Sequence, residues 1–287
     1  MAPLFSPAMQ GAGRPKESGP QVGHRIGQYE LQSVLGEGAM GVVFRACRDP
    51  EGESVAVKVL RDELAEDALY RGRFRREARI ASEVTHERIV PVVDFGEASG
   101  RLYIVSLYVQ GVPLSVRIAS EGKLTLAEAM RVLDDVSSAL EALAERDLVH
   151  RDVKPANVII DEFGSASLTD FGLARGVADT VLTKTGAVAG TVDYLAPELI
   201  RGQQASAASD VYALGCLLYE CLSGAPPFAG RSYVDTLIAH IQEEAPNLDY
   251  VPENVSAAVL EALAKEPAER PAATAYARLV RRSAQTA

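Results

Sequence analysis

The sequence predicts an α+β fold of two unequal lobes. The smaller carries a five-stranded antiparallel sheet with one helix, and the larger is mainly helical. Two observations support this. Between Tyr29 and Leu107, short β-rich runs are broken by glycine and turn residues, with one stretch of 3.6-residue apolar period among them. Beyond Gly111-Val112-Pro113 the texture changes to recurring amphipathic helices.

In chain order, Met1 to Gly27 is rich in Pro, Gly, Ala and Ser without apolar period, and reads as a disordered tail over 1–27. The folded domain is expected over 28–284: a small lobe to about 107, a linking segment 107–111, and the large lobe 112–284. Y-E-L-Q-S-V-L-G, G-V-V-F-R-A-C and S-V-A-V-K-V-L predict three strands, with D-P-E-G as a turn. Asp67 to Val84 is helical, with Leu69, Phe74, Ala78, Ile80 and Ala81 near a 3.6 period; its arginines 71, 73, 75, 76 and 79 read as a solvated face. Ile89–Phe95 and Leu102–Leu107 complete the sheet. Thr125 and Glu128 form a capping-box pattern opening a helix to about Arg146, and further helices are predicted at 207–222, 232–243, 255–265 and 272–283.

The chain of 287 residues is 47% apolar and 24% charged, ordinary for a globular protein. A formal charge of −10 argues against a nucleic-acid surface, which needs clustered Lys and Arg. Cys47, Cys216 and Cys221 show neither C-x-x-C spacing nor an even count, which suits packing in a reducing compartment. No secretory leader is readable, and Val211–Leu222, the longest apolar candidate, is too short to span a bilayer and contains Glu220. The expectation is a cytoplasmic chain without membrane contact of its own.

Three patterns carry chemistry. Gly36-Glu37-Gly38-Ala39-Met40-Gly41 lies between two β segments, where a dinucleotide fingerprint would open a helix; a glycine hairpin here can lay backbone N–H groups over phosphates. Val55-Ala56-Val57-Lys58 buries a lysine in an apolar strand, so its charge needs a partner, and Glu77 on the next helix is a suitable one. The strongest signal is His150-Arg151-Asp152-Val153-Lys154-Pro155-Ala156-Asn157 followed by Asp170-Phe171-Gly172. Phosphoryl transfer needs alignment and charge neutralisation. Asp152 can accept from an attacking hydroxyl, Lys154 can neutralise the group in flight, and Asn157 and Asp170 offer hard oxygen ligands for Mg²⁺.

With these motifs in this order, joined by Ala196-Pro197-Glu198 and Ser209-Asp210-Val211-Tyr212, the chain resembles the eukaryotic-type Ser/Thr protein kinases, and most of all their bacterial branch, over roughly Tyr29 to Arg282. The resemblance implies a bilobal kinase fold and transfer of the ATP γ-phosphate to Ser/Thr hydroxyls of proteins, with Mg²⁺, or Mn²⁺ in its place. It implies that Asp152 is the catalytic base and that Lys154 contacts the γ-phosphate. Lys58, paired with Glu77, holds the α- and β-phosphates, and Asn157 and Asp170 bind the metal. It implies an ATP site formed by the glycine loop through Val42, with Leu35, Val43, Ala56 and Ile159 around the adenine and backbone groups of Leu107 and Val109 at its edge. Glu198 should pair with Arg270, Asp210 should brace the catalytic loop, and His150 should pack rather than react. Thr183 and Thr185 resemble an autophosphorylated pair in an activation loop, with Arg73, Arg151 and Arg175 as its receivers. The resemblance leaves room for a homodimer in trans-autophosphorylation, and for a membrane tether if a spanning segment follows in a longer natural protein.

The alternative reading is a pseudokinase scaffold, which would be expected to lack one of Lys58, Asp152, Asn157 or Asp170; all four are present. A small-molecule kinase of related fold would lack the glycine hairpin and the A-P-E segment. Ser106, where many relatives carry a bulky residue before the linking segment, predicts a deeper adenine pocket. His24, His86 and His240 are isolated in the sequence.

Overall fold

The computed structural model describes residues 19–38, 40–48, 52–170 and 192–286. Strand pairing in the small lobe follows the apolar alternation. The strands are β1 (Arg25–Ile26), β2 (Tyr29–Gly38), β3 (Gly41–Arg48), β4 (Glu53–Leu60), β5 (Val92–Ala98) and β6 (Arg101–Leu107), in the antiparallel order β1-β2-β3-β4-β6-β5. The expected five strands are thus joined by a sixth. Arg25 and Ile26, assigned from sequence to the tail, pair with Glu30 and Tyr29, and Ile26 is only 3% exposed. One apolar side chain among polar neighbours is too weak a period to read as a strand. Along β4, Val55, Val57 and Val59 are buried with Phe44, Tyr103 and Val105, so the alternate residues Ala56 and Lys58 face the other way.

Between the strands lie α1 (Asp62–Glu66) and α2 (Ala68–Ser82). Asp67 is the N-cap of α2, not its first turn: its carboxylate accepts from the amides of Leu69 and Tyr70 at 2.7 and 3.2 Å. Tyr70 and Phe74 anchor α2 against Leu60 and Leu102. Strand β5 begins at Val92, later than the apolar run suggested, because the preceding backbone is already engaged. Val90 N–H donates to Leu168 O at 2.9 Å and Leu168 N–H to Arg88 O at 2.8 Å.

The larger lobe holds α3 (Leu114–Glu121), α4 (Leu126–Ala144), α5 (Pro197–Ile200), α6 (Ala207–Ser223), α7 (Tyr233–Gln242), α8 (Glu253–Leu260) and α9 (Ala273–Gln285). The predicted capping box opens α4: Glu128 N–H reaches Thr125 Oγ1 at 3.3 Å and Thr125 N–H reaches Glu128 Oε2 at 3.0 Å. Helix α6 is buried on all sides from Ser209 through Tyr219, and again at Cys221 and Leu222, which makes it the axis of the lobe. It ends at Gly224, whose φ is 90° and where a Cβ would stand 2.3 Å from Gly122 O. Leu133, Leu140, Leu214, Leu218 and Tyr276 fill the core around it. A small sheet absent from the sequence reading, β7 (Val112–Pro113), β8 (Val158–Ile160) and β9 (Ala166–Leu168), lies at the boundary between the lobes.

Candidate active site

The glycine loop joins β2 to β3, with Gly38 opposite Gly41. A Cβ at Gly41 would come within 2.1 Å of Val59 O, so only glycine lets β3 lie this close on β4. Arg61 braces the loop, donating to Gly38 O at 3.1 Å with Glu37 Oε1 at 3.6 Å. Met40 packs toward Leu60, which leaves its main chain as its contribution to the loop; Ala39 lies outside the described residues. Val43 stands opposite Lys58 and Ala56 opposite Ser106 across the ladders, on the face away from the Val55–Val59 core. Leu35 is exposed and Val43 and Ile159 are half-buried, as suits the walls of an open cleft. Val42, expected at the ATP site, stands opposite Val59 and packs its side chain on the Val55–Val59 core instead, because alternate strand residues face opposite ways. Leu107 N–H is spent on Pro91 O at 3.1 Å, so at the linking segment Leu107 can offer its carbonyl.

Two buried side chains shape the catalytic loop. Asp210, on α6, accepts from the amides of His150 at 2.6 Å and Arg151 at 2.8 Å. Burial pushes its carboxyl up to about 7, and the two donors pull against that. They hold Arg151 at φ 67°, a left-handed conformation that a non-glycine residue keeps only when its surroundings fix it. His150 is fully buried. Its Nδ1 accepts from Asp152 N–H at 3.3 Å, so the ring proton sits on Nε2 and goes to Thr169 O at 3.1 Å. Burial lowers its pKa to about 4, leaving a neutral, packing imidazole as expected.

The chemistry-bearing side chains meet at the end of this loop. Lys154 Nζ lies 2.9 Å from Asp152 Oδ2, and Asn157 Nδ2 donates to both Asp152 O and Oδ2 at 2.8 Å. The amide nitrogen of Asn157 is therefore committed, and its oxygen is what it can offer a cation. Lys58 reaches across from the small lobe to Asp170 Oδ2 at 3.1 Å, and Asp170 takes a left-handed φ of 55°. Asp152 lines a recess with Tyr194 and Leu195, just before α5, and with Leu199 within α5.

One expected pairing is different. Glu77 bonds not to Lys58 but to Arg151 Nη1, at 3.2 Å, while Lys58 is matched by Asp170. A strand lysine needs a counter-charge, but spacing cannot say which of two reachable carboxylates supplies it. The Glu198–Arg270 pair is as expected: Nη1 and Nη2 of Arg270 reach the two carboxylate oxygens at 2.7 and 2.8 Å, and Ser209 Oγ donates to Glu198 at 2.7 Å. Arg71 and Arg75 lie by Glu97 at 3.9 and 3.0 Å. Thr183, Thr185 and Arg175 lie outside the described residues.

Residues 29–279 match the family described as "Protein kinase domain". The chain belongs to the protein kinase family. Its curated relatives include a probable serine/threonine-protein kinase PknB of Corynebacterium glutamicum, 43% identical over 257 residues (85% of this chain, 40% of the relative). Serine/threonine-protein kinase PrkC of Bacillus subtilis is 40% identical over 254 residues, 87% of this chain and 39% of the relative. This kinase chain thus spans about two fifths of the length of the curated relatives it matches. Among solved structures, the PknI kinase domain of Mycobacterium tuberculosis superposes with a TM-score of 0.76 at 29% identity, covering 93% of this chain and 99% of that one. Protein kinases as a family use ATP and Mg²⁺. Among the described residues, no helix of the kinase is long and apolar enough to cross a membrane.

Proposed function

We propose that this chain is the catalytic domain of a Ser/Thr protein kinase, transferring the γ-phosphate of ATP to a protein hydroxyl. The observation that carries the reading is Asp152, held between Lys154 Nζ at 2.9 Å and Asn157 Nδ2 at 2.8 Å and lining a recess. A carboxylate held there orients an incoming hydroxyl and takes up its proton as the oxygen attacks phosphorus. Lys154 then neutralises charge on the group in flight, and ADP departs toward Lys58. The donor set fits Mg²⁺: one carboxylate, Asp170, and one amide oxygen, Asn157, leave room for phosphate oxygens in its shell. Bound there, Mg²⁺ or Mn²⁺ would supply charge neutralisation at the phosphates. No cluster of three or more His, Cys, Asp or Glu occurs among the described residues, and this type of site needs none.

The reading includes Ser/Thr acceptors, autophosphorylation at Thr183 and Thr185 within a homodimer, and a cytoplasmic site of action. Three free thiols, two of them fully buried in α6, support a reducing compartment. Purified protein with Mg-ATP and a peptide array tests it. Lys58→Met and Asp152→Asn should melt near the wild-type temperature yet lose transfer by more than about 10³-fold, since both act on alignment and transition-state charge. Turnover by Asp152→Asn within about tenfold of wild type would move the base elsewhere.

A further inference from the structure

His240 is alone in the sequence, and the mechanism above does not use it. In the fold it is a fully buried side chain on α7. Its Nδ1 lies 2.7 Å from the hydroxyl of Tyr212 on α6. Tyr212 and Phe228 both meet the imidazole edge-on, with ring centres 5.6 and 4.9 Å away. Lys265 Nζ donates to the carbonyl of the preceding residue, Ala239, at 3.4 Å and sits 5.1 Å from the Phe228 ring centre. The other ring nitrogen, Nε2, is buried without a partner of hydrogen-bonding geometry among the described residues. Helix α7 packs on the turn Val192–Tyr194, and the main chain of Asp193 in that turn favours a proton on the imidazole. That proton assigns the roles: Tyr212 O–H donates to Nδ1, and Nε2–H faces Asp193. Burial, then the charge of Lys265, lower the pKa of His240 to about 4, so the ring stays neutral.

Asp193 is the middle of the single turn Val192–Tyr194. Tyr194 donates its hydroxyl to Glu220 on α6, and Tyr194 and Leu195 line the recess that contains Asp152. The imidazole therefore sits between the axis of the lobe and the stretch of chain facing the catalytic base. A buried N–H next to main-chain acceptors lowers its free energy when the turn moves onto it. We infer that His240 is a positioning residue for the acceptor substrate: anchored through Tyr212, its Nε2–H holds the Val192–Tyr194 turn, and with it the wall formed by Tyr194 and Leu195, against the space where the hydroxyl must meet Asp152. It does not touch the nucleotide side, which is built from β2–β4, Lys58 and Asp170.

The inference rests on the protein-kinase reading, and the experiment separates the two. Steady-state constants are measured for Mg-ATP and for a threonine peptide that the wild type selects from an array, in wild type, His240→Leu, His240→Gln and His240→Asn. Loss of the N–H that faces the turn predicts a peptide KM raised roughly fivefold or more in His240→Leu, with the ATP KM within about twofold of wild type. His240→Gln carries its amide N–H near the place of Nε2 and should restore most of the loss; His240→Asn, reaching only as far as Nδ1, should not. Should His240→Leu fold poorly, the contrast of Gln with Asn decides alone. Equal peptide KM in Gln and Asn variants, or ATP and peptide KM rising in step, overturns the positioning role in favour of core filling. Wild type that transfers no phosphate to any peptide overturns the kinase reading itself.

Discussion

Glu77 of α2 accepts a hydrogen bond from Arg151 of the catalytic loop at 3.2 Å. The same carboxylate was expected at Lys58, which is matched instead by Asp170 at 3.1 Å. Moving Glu77 to Lys58 requires that Arg151 accept another anion, and phosphothreonine, with about −1.5 to −2 charges, outcompetes a carboxylate for a guanidinium. Incubation with Mg-ATP should therefore add phosphate at Thr183 or Thr185, detectable by mass spectrometry. The double variant Thr183→Ala/Thr185→Ala should turn over at least about tenfold more slowly. An unmodified enzyme already at full rate would refute the switch.

The Glu198–Arg270 pair predicts a large stability effect. The side chains are 2% and 0% exposed, and Arg270 also donates to the carbonyls of Ala264, Ala208 and Lys265. Against the cost of burial, the hydrogen bonds from Arg270 and Ser209 hold Glu198 below the usual carboxylate range. Removing one partner strands a buried charge, so Arg270→Met should cost about 3–5 kcal/mol in urea unfolding. Arg270→Lys should lose most of the same amount, because an ammonium cannot make the fork and reach three carbonyls as well. A lysine variant within about 1 kcal/mol of wild type would show that charge alone suffices.

Acid should unfold the protein through its histidines. His150 and His240 both have pKa values near 4 when folded and an ordinary value of 6.5. Their stabilising share is complete above pH 6.5 and is lost as pH falls from 6.5 toward 4, since the unfolded chain binds protons that the folded one refuses; each is worth about 3 kcal/mol at most. Asp210 runs the other way. Raised to about 7 from 3.8, it costs stability as pH rises through that window and returns it on acidification. Two histidines against one carboxyl leave a net loss, so the urea midpoint should drop between pH 7 and pH 4.5, with a shallower drop in His240→Leu. A midpoint that rises on acidification would contradict the assignment.

Ser106 yields a prediction about inhibitors. It stands across the ladder from Ala56, one step along β6 from the position opposite Val57. Its short side chain leaves space that a Met would fill, and each buried methylene is worth ~0.8 kcal/mol. A purine-like ATP competitor bearing an added aromatic group should bind wild type at least about tenfold tighter than Ser106→Met, relative to its unadorned parent. An unchanged ratio in the two proteins would mean that no enlarged pocket exists.

How much could be read beforehand depended on the range of the interaction. The capping box of Thr125 and Glu128, the strand around Lys58 and the catalytic loop are local patterns, and each was legible. The Glu198–Arg270 pair, 72 residues apart, was reachable through the family resemblance alone. What escaped were choices between equivalent partners and contacts without local period. Lys58 had two carboxylates in reach. Strand β1 has a single buried side chain, and His240 gains its meaning from Tyr212, 28 residues before it. Arg61 gave no signal, because an arginine at a strand end looks the same whether or not it braces a glycine loop.

The backbone bonds between residues 88–90 and Leu168 bear on how the small lobe moves. They fasten the stretch just beyond the end of α2 to β9, in the other lobe, and Arg88 adds an ion pair to Asp135 on α4 at 3.0 Å. The C-terminal end of α2 is therefore a fixed post, and a swing of the helix would pivot there. Glu77 stands five residues before Ser82, about 7.5 Å up the helix at 1.5 Å per residue. A swing of about 20° carries a group at that height by about 3 Å, on the order of one hydrogen-bond length, so a modest turn exchanges one partner for another. The post itself stays with the base: Leu168 lies two residues before Asp170, so the pivot of α2 and the carboxylate that meets Lys58 share one frame of reference.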